Sequence, residues 1–150
     1  MSKTYCIGDA HGNYKGLIQA IERSPFNPSE DTLISLGDLV DGGYDSALVI
    51  DYLAKLPNKI LIKGNHDKWF TDWMNYGVHP CSWLQGGKQT AESYIKWVKD
   101  NTGENRVLLP DGKGAYMCNL VYIDIPEDHR SFLNSAVDYY IDEGAENCFV

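Results

Sequence analysis

A chain of 150 residues, 43% hydrophobic and 12% aromatic, has enough apolar material for one core, so a single domain is expected. A formal charge of −8 disfavours nucleic-acid polymers and anionic membranes as partners. No stretch approaches the ~18 apolar residues of a membrane span, and no apolar targeting segment precedes Gly8, so a cytoplasmic location is expected.

In chain order, residues 4–7 read as a strand. Tyr14 to Arg23 follow as a helix with Leu17, Ile18 and Ile21 on one face, capped by Asn13 and ended by Ser24-Pro25. Residues 32–36 form a second strand. Asp45 or Ser46 caps a second helix, whose apolar stripe is Leu48, Val49, Tyr52, Leu53 and Leu56. Pro57-Asn58 turns into a third strand, residues 59–63. This βαβαβ order predicts an α/β fold with a mainly parallel sheet. Residues 67–76 read as a helix whose Trp69, Phe70, Trp73 and Met74 suit a core or a site rim. Residues 77–89 read as a loop, and Thr90 opens a helix to about Asp100 that buries Ala91, Tyr94, Ile95 and Val98. Residues 101–114 are polar and Gly-rich. A strand or hairpin is expected within 116–125, then a helix from Pro126 to about Ala136. The terminal Glu146 to Val150 ends as an apolar strand.

The chemistry sits where the three strands end. Gly8-Asp9-Ala10-His11-Gly12, Gly37-Asp38-Leu39-Val40-Asp41-Gly42-Gly43 and Gly64-Asn65-His66-Asp67 each follow an apolar run. Carboxylate, imidazole and amide oxygen are ligands for hard and borderline divalent ions. Parallel sheets gather such groups at the carboxyl ends of their strands. Two ions held close together need a shared anionic ligand, and Asp38, on the middle segment, is placed to be it. The spacing of Asp9 and His11 allows both onto one ion, and Asn65 suits a second. Among the other acidic residues, Glu30, Asp31, Glu127, Asp128, Asp142, Glu143 and Glu146 read as a solvated surface. The cysteines Cys6, Cys81, Cys118 and Cys148 lack metal-finger spacing, and Cys6 and Cys148 read as small core residues.

Together the three segments resemble the calcineurin-like metallophosphoesterases. The resemblance is strongest to serine/threonine phosphoprotein phosphatases and their bacterial and phage relatives, diadenosine tetraphosphatases included. Those proteins carry Gly-Asp-x-His-Gly, Gly-Asp-x-Val-Asp-Arg-Gly and Gly-Asn-His-Glu. Trp83, Gly86, Gly87, Thr90, Ser93 and Tyr94 resemble the next segment of bacterial members. The resemblance implies the N-terminal part of a four-layer α-β-β-α sandwich around two divalent ions, manganese by family habit, with iron, zinc or magnesium as alternatives. It implies Asp9, His11 and Asp38 on the first ion, and Asp38 with Asn65 on the second. It further implies His66 as the acid that protonates the leaving oxygen, and Asp41 as the group that orients His66. The nucleophile would be a water or hydroxide held between the ions. The implied substrate is a phosphorylated protein or a nucleotide.

The chain departs from that pattern in three places. The phosphate-gripping arginine is replaced by Gly42, and the last residue of the third segment is Asp67. The family also places two further histidines on the second ion. Here only His79, in a loop context, and His129, in the first turn of a helix, remain, and both read as solvated. The second ion's site is therefore expected to be incomplete, the chain to stop one residue short of its next ligand, and activity of this polypeptide alone to be weak or absent. A sheet left partly uncovered would favour self-association.

Overall fold

The computed structural model describes residues 2–77, 86–113, 116–142 and the backbone of 148–149. His79, Cys81, Trp83, Glu143 and Glu146 lie outside the described residues. In chain order the elements are β1 (Thr4–Ile7), α1 (Tyr14–Arg23), β2 (Thr32–Ser35), α2 (Ser46–Ala54), β3 (Lys59–Leu61), α3 (Asn65–Tyr76), α4 (Gly87–Thr102), β4 (Leu108–Pro110), β5 (Tyr116–Cys118), a single 3-10 turn (Tyr122–Asp124), α5 (Glu127–Asn134), β6 (Tyr140–Ile141) and β7 (Cys148–Phe149).

β1, β2 and β3 form a parallel sheet in that order, as the βαβαβ reading requires. The register sets Tyr5 beside Leu33 and Ile7 beside Ser35, and Ser35 beside Leu61. A parallel bridge from Ile62 to Val137 extends the sheet past β3. Side chains alternate along a strand. Tyr5, Ile7, Leu33 and Leu61 therefore join the core under the helices, whereas Cys6 falls on the opposite side at the edge strand. Cys6 is exposed, contrary to its reading as a core residue.

α1 begins as expected, with Asn13 Oδ1 accepting the Gly16 N–H at 2.9 Å. α2 buries Ala47, Val49, Ile50 and Leu53. Leu48, assigned to its stripe, is 38% exposed, because this helix is apolar nearly all round and Ala47 and Ile50 take the inner face. α3 starts two residues before the expected position: the Gly64 N–H is caught by Asp67 Oδ2 at 3.1 Å, so Asn65 and His66 lie inside the first turn. α4 starts at Gly87, three residues ahead of Thr90, and ends where Gly103, at φ 75°, turns left-handed and donates to the Lys99 carbonyl. The polar stretch after α4 contains β4, which pairs antiparallel with β5. α5 stops at Asn134, two residues early.

Two further expectations are corrected by burial, and one surface feature stands beside them. Asp31, read as solvated, is buried and accepts the Lys3 and Asn27 backbone N–H groups at 2.8 and 2.9 Å. Those donors hold its carboxyl below the usual carboxylate range. Exposed apolar side chains gather on β4, β5 and the 3-10 turn, with Ile123 80% and Met117 62% exposed. The largest correction is His129, which is 0% exposed. Its Nδ1 lies 3.1 Å from the Tyr94 hydroxyl and its Nε2 3.4 Å from Asp51 Oδ1. The Trp97 ring is 5.0 Å away, and Tyr94 stacks on Phe70 at 5.2 Å. The helix-start pattern Pro-Glu-Asp-His places His129 on α5, but nothing local shows that α2 and α4 close over it.

Burial pushes the His129 pKa below the ordinary histidine value. The unfolded chain then binds the proton that the folded chain refuses, so stability is lost as pH falls below about 6.5. His129→Gln keeps a hydrogen-bonding side chain without the titration. Urea unfolding between pH 7 and 5 should show a wild-type loss steeper than the variant's by up to about 1.4 kcal/mol per pH unit. Parallel curves would contradict this.

Candidate metal centre

Three parallel strands send their C-terminal loops to one edge of the sheet, and backbone hydrogen bonds bind those loops together. The first loop lies on the second: Asp9 N–H donates to the Gly37 carbonyl at 3.2 Å, His11 N–H to Asp38 at 2.9 Å and Gly12 N–H to Leu39 at 2.8 Å. The third is tied to the second through Asp67. This carboxylate is 1% exposed and accepts the N–H groups of Asp38 (2.8 Å), Leu39 (2.9 Å) and Gly64 (3.1 Å). Its pKa is raised, first by burial and also by the nearby Asp38 charge, with the three donors opposing. The His66 N–H in turn donates to Asp38 Oδ1 at 3.1 Å. The approach is close enough to demand glycine, because a Cβ on Gly37 would come within 2.3 Å of the Gly64 nitrogen.

Backbone strain concentrates in the same loops. Asp9 (φ 54°), His11 (φ 41°), Asp38 (φ 52°) and Asp41 (φ 69°) are the non-glycine residues in left-handed conformation among the described residues. All four belong to the candidate site residues expected from the motifs. Each such conformation costs about 1 kcal/mol or more and persists only where its surroundings enforce it.

The strain and the stitching bring side chains together. Ligand atoms of His11, Asp38 and His66 lie within 4.8 Å of one another. Asp9, its side chain 79% exposed, adds a carboxylate oxygen 3.8 Å from His11 Nε2. His11 Nδ1 sits 3.1 Å from the Val40 carbonyl. As a donor there, Nδ1 carries the ring proton and leaves Nε2 its lone pair for an ion. Asn65 is exposed on the first turn of α3, next to the residue whose amide bonds Asp38. His66, expected only as a proton donor, stands inside the ligand cluster. Its ring meets that of His11 at 4.9 Å and that of Trp69 at 4.6 Å. Asp41, buried on the second loop, accepts from His66 Nδ1 at 2.9 Å.

A second cluster, Asp51, Asp128 and His129, also has ligand atoms within 4.8 Å. There Lys55 already pairs with Asp51 at 2.7 Å, and both His129 ring nitrogens face partners. His129 is thus committed to the packing of α2, α4 and α5.

The donors suit divalent ions: carboxylates and imidazoles converge, and one imidazole is held with a free nitrogen. The sequence pattern of calcineurin-like phosphoesterases matches residues 2–142. The chain belongs to that family. A symmetrical bis(5'-nucleosyl)-tetraphosphatase from Salmonella paratyphi B is 46% identical over 65 residues, and its counterpart from Salmonella typhimurium matches to the same extent. Those 65 residues are 43% of this chain and 23% of each relative. Among solved structures, a protein assigned provisionally as a diadenosine tetraphosphatase aligns with TM-score 0.45 and 32% identity over 47% of this chain and 32% of its own. A protein serine/threonine phosphatase from Saccharomyces cerevisiae aligns with TM-score 0.38 and 21% identity, over 65% and 36% of the two chains. No described helix is long and apolar enough to cross a membrane.

Sequence motifs name the candidate site residues and do not show which bonds hold them in place. By its motif, Asp67 is a minor variation on the family's glutamate. Its position three residues after Gly64, at the mouth of a helix, is the available signal of its larger task. Thr90 and Ser93 bond to residues 41 and 47 across 49 and 46 positions of sequence, and no local pattern announces that.

Two outcomes follow. Asp9→Gly removes an exposed left-handed residue and the carboxylate beside His11. It should stabilise the metal-free chain by about 0.5–1 kcal/mol in urea unfolding with chelator, while weakening its Mn2+ affinity by calorimetry. Asp67→Asn places an NH2 against backbone donors and should cost about 2–3 kcal/mol in the same unfolding measurement.

Proposed function

We propose that this chain carries the metal-binding loops of a phosphoesterase that hydrolyses phosphate monoesters, as protein serine/threonine phosphatases do. The observation that supports it most directly is the Asp41–His66 pair set beside His11 and Asp38. In this reading Asp9, His11 and Asp38 hold a first divalent ion, and Asp38 with Asn65 a second. Manganese is the favoured metal, and iron, zinc and magnesium are alternatives. Bound ions would supply Lewis-acid stabilisation of the phosphoryl oxygens and acidify a water for in-line attack.

The protein groups do the rest. An alkoxide leaving group needs a proton, and His66 is the titratable donor at the cluster. Asp41 fixes the tautomer of His66 by accepting its Nδ1–H, which leaves Nε2 as the nitrogen for proton transfer. Gly42 is exposed at φ 85° and contributes no charge, so phosphate is gripped here without the arginine its relatives use at that place.

A second reading, hydrolysis of dinucleoside tetraphosphates, is favoured by the activity for which the Salmonella relatives are named. A third, a catalytically impaired metal binder, is favoured by His129. That histidine lies buried against Tyr94 and Asp51 and cannot complete the second ion's shell.

The test measures Mn2+ binding by calorimetry alongside turnover of p-nitrophenyl phosphate and of diadenosine tetraphosphate. Hydrolysis of the monoester that rises with Mn2+ and drops by about 100-fold or more in His66→Ala supports the first reading. Turnover confined to the dinucleotide selects the second. Tight Mn2+ binding with neither substrate consumed selects the third.

A further inference from the structure

Asp41 is 1% exposed, and its two carboxylate oxygens meet different partners. Oδ2 accepts the Nδ1–H of His66 at 2.9 Å. Oδ1 accepts the hydroxyl of Thr90 at 2.6 Å. Thr90 comes from α4 and is 0% exposed, and its oxygen also accepts the Asp41 backbone N–H at 2.9 Å. One hydroxyl therefore holds Asp41 at both its amide and its carboxylate. α4 grips the same region at three successive levels. Gly86, at its head, sits so close that a Cβ there would come within 2.9 Å of the Asp41 Cβ. Thr90 follows, with Ser46 Oγ 3.3 Å from its hydroxyl. One turn on, Ser93 Oγ accepts the Ala47 N–H at 2.9 Å.

We propose that Thr90 is a positioning residue for phosphoester hydrolysis, setting the orientation of His66 through Asp41. This inference rests on the phosphoesterase reading above.

The need for such a residue is physical. The terminal torsion of aspartate is broad, so a carboxylate bonded only to His66 could swing and carry the imidazole with it. A second bond to the other oxygen fixes the plane of the group. Threonine suits the task, because a β-branched side chain on a helix has few χ1 choices and a hydroxyl-to-carboxylate bond is among the stronger kinds. Asp41 also holds a left-handed backbone at φ 69°, which the amide bond to Thr90 helps enforce. The hydrogen bonds of Thr90 run to Asp41 and Ser46 and not to Asp9, His11, Asp38 or Asn65. Its influence on chemistry therefore passes through Asp41 and His66.

Three variants of the full chain separate positioning from simple stapling. Thr90→Val keeps the shape and removes the hydroxyl, Thr90→Ser restores it, and Ser93→Ala cuts the neighbouring staple while leaving Asp41 alone. The first measurement is the His66 Nδ1–H resonance in a chain labelled with 15N-histidine. Wild type, Thr90→Ser and Ser93→Ala should keep a sheltered proton that Thr90→Val loses. The second compares leaving groups with Mn2+ present. Thr90→Val should lower kcat about tenfold on phenyl phosphate, a poor leaving group that depends on the acid. The change on p-nitrophenyl phosphate should be several times smaller, with KM unmoved, and Thr90→Ser should recover the loss. A Thr90→Val chain that keeps the proton, or a Ser93→Ala chain that loses it equally, overturns the assignment. If wild type consumes neither ester, the phosphoesterase reading fails on its own, and the resonance alone decides whether Thr90 orients His66.

Discussion

Everything at the sheet edge depends on one buried carboxylate. Asp67 belongs to the third loop yet spends its bonds on the second, taking the N–H groups of Asp38 and Leu39 as well as that of Gly64. It thereby does two tasks at once. It starts α3 early enough to bring Asn65 and His66 onto a helical turn, and it fixes the backbone from which Asp38 projects. Burying a carboxylate is costly, and here the cost is met by three donors. The nearby Asp38 charge adds to the same burden.

Around that anchor the three loops form one object. The first lies on the second through backbone bonds, the second on the third through Asp67, and α4 closes the second from behind through Thr90 while Ser93 pins the start of α2. Four left-handed residues sit within it. Their strain would relax in an isolated peptide, so the geometry of these candidate ligands is a property of the assembled loops and not of any segment. Family membership follows from the match over residues 2–142, and the loops supply its physical content.

Much of this is legible in the amino-acid sequence. Apolar runs of three to five residues ending in Gly-Asp or Gly-Asn mark the strands, their parallel order and the edge where their loops meet. Asn13 announces its own cap. What escapes is non-local. His129 carries a surface-helix signature, and only the meeting of α2, α4 and α5 buries it. Asp31 looks like part of an acidic surface until Lys3 and Asn27 close on it. Cys6 follows a strand pattern correctly and is still exposed, because β1 is the edge strand: Ile34, beside it on the same face of β2, is 0% exposed. The start of α3 moves because Asp67 reaches back to Gly64, a bond that composition alone does not reveal.

The left-handed quartet also limits how this centre could be transplanted. A designer who copies only the candidate ligand side chains into another parallel sheet would ask four non-glycine residues to hold an unfavourable twist with nothing compelling them to. The smallest portable unit is the trio of strand exits together with Asp67 and the helix bearing Thr90. Moved without that frame, the four turns would be free to relax.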